Sequence, residues 1–229
     1  MLVLGLDTTT RQGSAALTRN GAVIAIHTGD AAVAHAARLP GDLLRLLESE
    51  RLSTVDIDMF AVAAGPGSFT GLRIGIATMQ GFALANARPL AGVSALDAIH
   101  DAVGARDDVA VWMDAGRGQV FSAVYSNGAP VEAALVDEPA DILARWSREG
   151  MRPSTFAGDG ALSYQTLIRA ASPDAHIVEP APMIAPSVAR LGELHVQTVG
   201  ASAPDAITPI YVRRSDVELA RDRGIPVKS

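Results

Sequence analysis

The 229-residue chain has no cysteine and a single lysine, Lys228, and each absence removes a class of chemistry. Without cysteine there are no disulfides, zinc–thiolate sites or cysteine nucleophiles, so a bound metal would rest on histidine and carboxylate alone. The five histidines, His27, His35, His100, His176 and His195, form no H-x-x-x-H or H-E-x-x-H pair at metal-ligand spacing. A lone lysine at the far end leaves no Gly-Lys-Ser/Thr, which excludes a Walker phosphate loop. Long apolar runs are missing too. No window offers the roughly 18 apolar residues of a membrane span, and the opening MLVLGL reaches Asp7 too soon for a signal core, so a cytoplasmic protein with no membrane partner is expected. The other 18 basic residues are arginine, which reads as the codon usage of a GC-rich genome. A net charge of −6 opposes a stand-alone surface for nucleic-acid phosphates.

What is present is arranged around residues 60–86, FAVAAGPGSFTGLRIGIATMQGFALAN. Phe60 to Ala64 reads as a buried strand, stopped by Gly65, Pro66 and Gly67. Ser68 and Thr70 are candidate N-caps, and Asn86 stands where a C-cap belongs. From Leu72 onward Leu72, Ile76, Met79 and Phe82 fall on one helical face. Gly71, Gly75 and Gly81 interrupt that helix, and since each costs roughly 1 kcal/mol relative to alanine, another backbone is expected close by.

The chain opens as an antiparallel meander of strands over residues 2–6, 13–17 and 22–27, with Asn20-Gly21 as a tight hairpin turn. A helix over 34–50 follows, carrying Leu39, Leu43, Leu46 and Leu47 on one side, with Pro40 marking a kink or a late regular start. After the central helix come a strand at 89–93 and a helix capped by Ser94 through Val103. Residues 104–108 are a polar break. Beyond it a shift of 107 residues lays Asp7 on Asp114, Ala16 on Ala123, Asn20 on Asn127, Gly21 on Gly128 and Ala22 on Ala129. Later Phe156-Ala157-Gly158-Asp159-Gly160 again ends a strand in a glycine loop, and 163–171 resumes as helix. A proline-rich linker over 180–186, a last helix over 187–199 and an apolar segment over 207–212 complete the chain.

Two βββαβα halves in tandem predict an α/β fold of the duplicated actin-like ATPase class (ASKHA, ribonuclease H-like). The halves are placed at 1–104 and 105–229, with the last helix packing back on the first half. In that fold the paired aspartate turns face each other across a cleft and hold a nucleotide's phosphates. Asp7, Thr8 and Thr9 are therefore either a phosphate turn, with the aspartate on a hydrated magnesium ion, or an Asx and Ser/Thr turn closing a hairpin. The second turn keeps Asp114 and Gly116 but has no hydroxyl. Around Ser68 the residues two positions either side are Pro66 and Thr70, so there is no G-x-S-x-G nucleophile elbow. The glycine loop before a helix offers either an anion site or close backbone packing.

With these residues in view the chain resembles the TsaB family, also called YeaZ, over nearly its whole length. The resemblance is carried by LGLDTTT with GSAAL, by HAARLPGDLLRLL in place of the family's His-x-x-x-Leu-x-Pro helix with the proline one place early, and above all by GPGSFTGLRIG. GVSALDAI, MDAGRGQVFSAVY, AGDG and PIYVRRSDV follow in order. DAGRG departs from the family's frequent DARRG.

The resemblance implies a non-catalytic subunit required for threonylcarbamoyladenosine on transfer RNAs that read codons beginning with A. Its partners would be the TsaD transferase and the TsaE ATPase. TsaD carries a paired-histidine metal motif that is missing here. The protein alone would form a homodimer, transfer RNA would be met only through the complex, and no cofactor would be held beyond weak ATP or ADP. The implied partner surface lies on the two N-terminal helices, at His35, Leu39, Leu43, Leu46, Gly71, Leu72, Gly75, Ile76 and Met79. There Gly71 and Gly75 would leave an exposed groove for another helix. The rival is an active enzyme of the same fold, a small-molecule kinase or a glycoprotease-like metallopeptidase.

Overall fold

The computed structural model describes residues 1–104 and 108–212. Strands β1 (Leu2–Asp7), β2 (Ser14–Arg19) and β3 (Ala22–Thr28) form the opening meander. Asn20 and Gly21 turn β2 into β3 with φ of 52° and 79°, the left-handed pair that matches the twist of a hairpin. Helix α1 (His35–Ser49) follows, with Pro40 inside it, and after a short 3-10 turn come β4 (Met59–Gly65), α2 (Phe69–Ala85), β5 (Leu90–Ser94) and α3 (Ala95–Val103). Ser68 caps α2 by accepting from the Gly71 amide, and Ser94 caps α3 by accepting from that of Asp97. Asn86 is the C-cap of α2. The structure starts α2 at Phe69, a turn earlier than its apolar stripe.

The second half repeats this order: β6 (Val109–Gly116), β7 (Gln119–Ser126), β8 (Ala129–Asp137), α4 (Pro139–Glu149), β9 (Thr155–Ala157), then α5 (Asp159–Ser163), α6 (Gln165–Ala171) and β10 (His176–Ile177). Its turn at Asn127 and Gly128 has φ of 50° and 79°. The helix expected over 163–171 is α6, and a separate short helix, α5, precedes it, with the break at Tyr164. The last helix is α7 (Ala185–Thr198).

The two sheets have the same topology. The first runs β3-β2-β1-β4-β5 and the second β8-β7-β6-β9-β10, each with an antiparallel meander continued by parallel strands. Alternation along β1 and β4 sends side chains to opposite faces. Leu4, Leu6, Phe60 and Val62 pack with Leu39, Leu43, Ile76 and Met79 of α1 and α2. Val3, Met59, Ala61 and Ala63 point the other way, to α3, α7 and the second sheet. Helix α7 lies across the first sheet at short range. A side-chain carbon on Gly5 would stand 2.5 Å from the Ala185 carbonyl oxygen, and one on Gly192 would stand 2.7 Å from the Ala61 side chain. Trp112, Trp146 and Phe156 anchor a third core under α4.

Candidate functional site

The two aspartate turns lie across a cleft of about 750 Å³ lined by Thr9, Thr10, Gly67, Ser68, Phe69, Asp114, Gly116, Asp159 and Tyr211, among others. On the first wall, Asp7, Thr8 and Thr9 are all buried. The Thr9 amide and hydroxyl both donate to Asp7 Oδ1, at 2.8 and 2.6 Å, which is the Asx turn closed on itself. The Thr8 hydroxyl donates to the Gly71 carbonyl at 2.8 Å, and the Ser68 amide to the Thr9 carbonyl at the same distance. Burial pushes the Asp7 carboxyl above the ordinary carboxylate range, against the hydrogen bonds from Thr9, and the nearby Asp159 adds repulsion.

This wall explains the glycines of α2. A side-chain carbon on Gly71 would run into the Thr8 carbonyl oxygen, and one on Gly75 into the Thr8 hydroxyl. One on Gly67 would sit 2.5 Å from the Thr8–Thr9 segment, at Thr9 Cβ. The close backbone approach expected from sequence is present, but it comes from the chain's own first turn. The exposed groove expected at Gly71 and Gly75 is therefore corrected: both glycines are buried and Thr8 fills the space from inside. Gly81 meets nothing within 4 Å.

The second wall is built alike but opens outward. Asp114 Oδ1 accepts from the Gly116 amide at 2.8 Å, and Asp159 Oδ1 accepts from the amides of Asp114 and Gly160 at 3.1 and 2.9 Å. Gly158 and Gly160 press on the backbone of Trp112 and Met113, as Gly71 does on Thr8. Burial raises the Asp159 carboxyl, opposed by the amide hydrogen bonds and reinforced by Asp114. Asp114 and Gly116 are exposed. The cleft thus gathers the carboxylates of Asp114 and Asp159 with the arginines Arg11 and Arg117, while the Thr8 and Thr9 hydroxyls are engaged within the protein. Ser68 serves as a helix cap. Among the described residues no group of three or more histidines and carboxylates is placed to hold a metal ion.

Of the residues expected at the partner surface, Leu39, Leu43, Leu46, Ile76 and Met79 meet in one core, and Leu72 is buried at the cleft. His35 reaches back to the cleft turn, donating from Nε2 to the Thr10 carbonyl at 2.8 Å and accepting from Arg38 at Nδ1. Sequence reasoning missed what stands behind it. Asp42 is buried and takes Arg38 at 2.6 Å, Arg45 at 2.5 Å and His27 at 3.4 Å. Its signal was its place between Leu39, Leu43 and Leu46 on the inward side of α1.

A family model described as "TsaD: tRNA N6-adenosine threonylcarbamoyltransferase" matches residues 24–215. The "tRNA threonylcarbamoyladenosine biosynthesis protein TsaB" of Bacillus subtilis is 30% identical over 173 residues, covering 73% of this chain and 75% of that one. YeaZ from Pseudomonas aeruginosa superposes with a TM-score of 0.75 at 26% identity, over 92% of this chain and 99% of the other. The chain belongs to the TsaB (YeaZ) family. This TsaB-family chain shares its fold alone with the activator of 2-hydroxyisocaproyl-CoA dehydratase from Clostridium difficile, solved with bound ADPNP. That match has 11% identity and a TM-score of 0.53, over 86% of this chain and 96% of the activator. The duplicated actin-like ATPase fold expected from the repeat is thus the fold observed. None of the described helices of this TsaB-family chain is long and apolar enough to cross a membrane.

Proposed function

We propose that this protein is a non-catalytic partner subunit in the formation of threonylcarbamoyladenosine on transfer RNAs that read codons beginning with A. It binds a TsaD-like transferase through its N-terminal half and acts with a TsaE-like ATPase in the cytoplasm. The observation that carries the reading is the closed Asp7 turn. A phosphate turn must aim its hydroxyls and amides at the ligand, whereas here Thr8 donates to Gly71 and Thr9 donates twice to Asp7. Nucleotide binding is accordingly weak, for ATP as for ADP. The family membership supplies the pathway and the partner class.

Purification of the tagged protein from its own cell, with bound chains identified, tests this directly. A TsaD-like chain should be recovered, and the isolated protein should show no transferase, kinase or peptidase turnover. ATP turnover by the isolated protein that disappears in Asp7→Ala would sink the reading in favour of a kinase.

A further inference from the structure

A second groove, of about 650 Å³, lies away from the cleft and shares no lining residue with it. One wall is α3, where Ser94, Asp97 and Asp101 fall three or four apart and so share one face. Helix α7 supplies Arg190, Leu191 and Leu194. The turn from β7 to β8 closes the third side with Tyr125 and Pro130. Tyr125 pairs with Val109 at the start of β6, whereas Asp114 of the cleft stands near the other end of that strand.

Among the described residues the charges of this groove leave one carboxylate over. Arg190 grips Asp101 with two nitrogens, Nε donating to Oδ2 at 3.0 Å and Nη2 to Oδ1, so this pair cancels. The His100 ring stacks on Tyr125 at 4.2 Å with 15° between planes, and burial holds the imidazole below its ordinary range, so it adds no charge at neutral pH. His195 stands exposed on the rim. Asp97 Oδ1 accepts from the Tyr125 hydroxyl at 2.6 Å. Burial, followed by that bond, pushes the hydroxyl far above its ordinary range, so it remains a donor. Asp97 Oδ2 has no partner among the described residues. Asp97 also lies in the first turn of α3, whose free amides favour its ionised form. A negative charge is thus held in place by a buried phenol, beside the apolar side chains of Val93, Leu191 and Leu194, the last of which is 48% exposed.

An oriented carboxylate with a free oxygen next to apolar surface suits a ligand that is cationic at one end and aliphatic along its length. The chain leaves water while the charge keeps a partner. An anionic ligand would meet Asp97 as a like charge, and Arg190 is already engaged by Asp101. The volume lies inside the range of roughly 300–1,000 Å³ that small-molecule sites occupy. We propose that this groove binds an aliphatic primary ammonium, with its charge on Asp97 Oδ2 and its chain along Val93, Leu191 and Leu194. The same chemistry is offered by a free alkylamine and by a lysine side chain. The inference does not rest on the partner-subunit reading, and either can fail alone.

Calorimetry on the full chain at neutral pH and low salt, with n-hexylammonium, hexanoate and Nα-acetyl-lysine methylamide, tests it. The alkylammonium should bind at least about tenfold more tightly than hexanoate, which has the same chain and the opposite charge. Asp97→Asn keeps an oxygen for the Tyr125 hydroxyl but removes the charge, so it should weaken the alkylammonium by about fivefold, the scale of a partly exposed ion pair. In the unmodified protein the ring proton resonances of His100 and Tyr125 should shift on adding n-hexylammonium, which places the ligand in this groove without any variant. Binding of the blocked lysine without n-hexylammonium would assign the groove to a lysine side chain, and the reverse would assign it to a free amine. Absence of binding by both amines, hexanoate binding as tightly as n-hexylammonium, unchanged affinity in a folded Asp97→Asn protein, or ring resonances that do not move would each overturn it.

Discussion

The Thr8 hydroxyl donates to the Gly71 carbonyl at 2.8 Å, and it has room to do so because Gly75 carries no side chain. A methyl group at Gly75 would displace that hydroxyl, and overpacking of this kind costs about 1–3 kcal/mol. Gly75→Ala is therefore expected to lower the urea midpoint clearly. Thr8→Ala in the same chain removes the oxygen that clashes, so the double variant should lose less than the sum of the two single ones. Strict additivity would mean that Thr8 and Gly75 are not coupled. Gly75→Leu, which an exposed groove would accommodate in a folded chain, should instead disrupt this half of the molecule.

The buried Asp7 carboxyl gives a pH signature. Its value is raised in the folded chain, so between the ordinary carboxylate value and the raised one the native state holds more protons than the unfolded state. Stability from this group falls as pH rises through that window. Asp7→Asn keeps an oxygen to accept from Thr9 but carries no charge, so it should melt higher than the unmodified protein at neutral pH. The gap should close toward acid. A variant that melts lower at every pH would show that the ionised carboxylate is a net stabiliser of the turn.

The duplication was legible because its markers are residues with fixed backbone demands. Asn20-Gly21 and Asn127-Gly128 sit at left-handed turns that few other residues tolerate, and Asp7 and Asp114 close turns at the ends of matching strands. The apolar stripe of α2 was legible, but what it meets was not. Leu72, Ile74, Ile76, Met79, Phe82 and Leu84 surround much of that helix, so its pattern gives little contrast between the face that meets its own sheet and the face left outside. Helix α4 was missed although Pro139 at its start and Gly150 in a left-handed C-cap bracket it, with Ile142 and Trp146 as its buried pair. The ring contact of Phe69 and Tyr211 joins residues far apart in sequence, and no local period announces such a meeting.

Asp42 should behave opposite to Asp7. Burial works to raise its carboxyl, but hydrogen bonding to Arg38 and the charges of His27 and Arg38 outweigh this and hold it below the ordinary range. Its stabilisation is thus complete above the ordinary carboxylate value and is lost as pH falls through the lowered one. Asp42→Ala leaves the nearly buried Arg38 without its carboxylate, a loss of about 3–5 kcal/mol for a broken buried pair. Thermal melts across acid pH check both points. A loss that did not shrink at the acid end would separate the cost from the ion pair.

On the proposed function, a partner would dock on the outer faces of α1 and α2. Leu43 is fully buried, whereas its neighbour Leu44 is 46% exposed and Leu84 near the end of α2 is 60% exposed. Since Leu39, Leu43, Leu46, Ile76 and Met79 are spent on the chain's own core, a partner docking there would have to meet the exposed residues instead. Leu43→Ala should then destabilise the monomer by about 2–5 kcal/mol, as other core truncations do. Leu44→Glu and Leu84→Glu should leave the melting curve nearly unchanged while weakening self-association and capture of a TsaD-like chain together, because one apolar face would serve both. Light scattering and pull-down read the two assemblies separately. If both persisted unchanged in folded Leu44→Glu and Leu84→Glu proteins, the contact would have to lie off these helices. If only one weakened, homodimer and heterodimer would use different surfaces, and competition between them would not be expected.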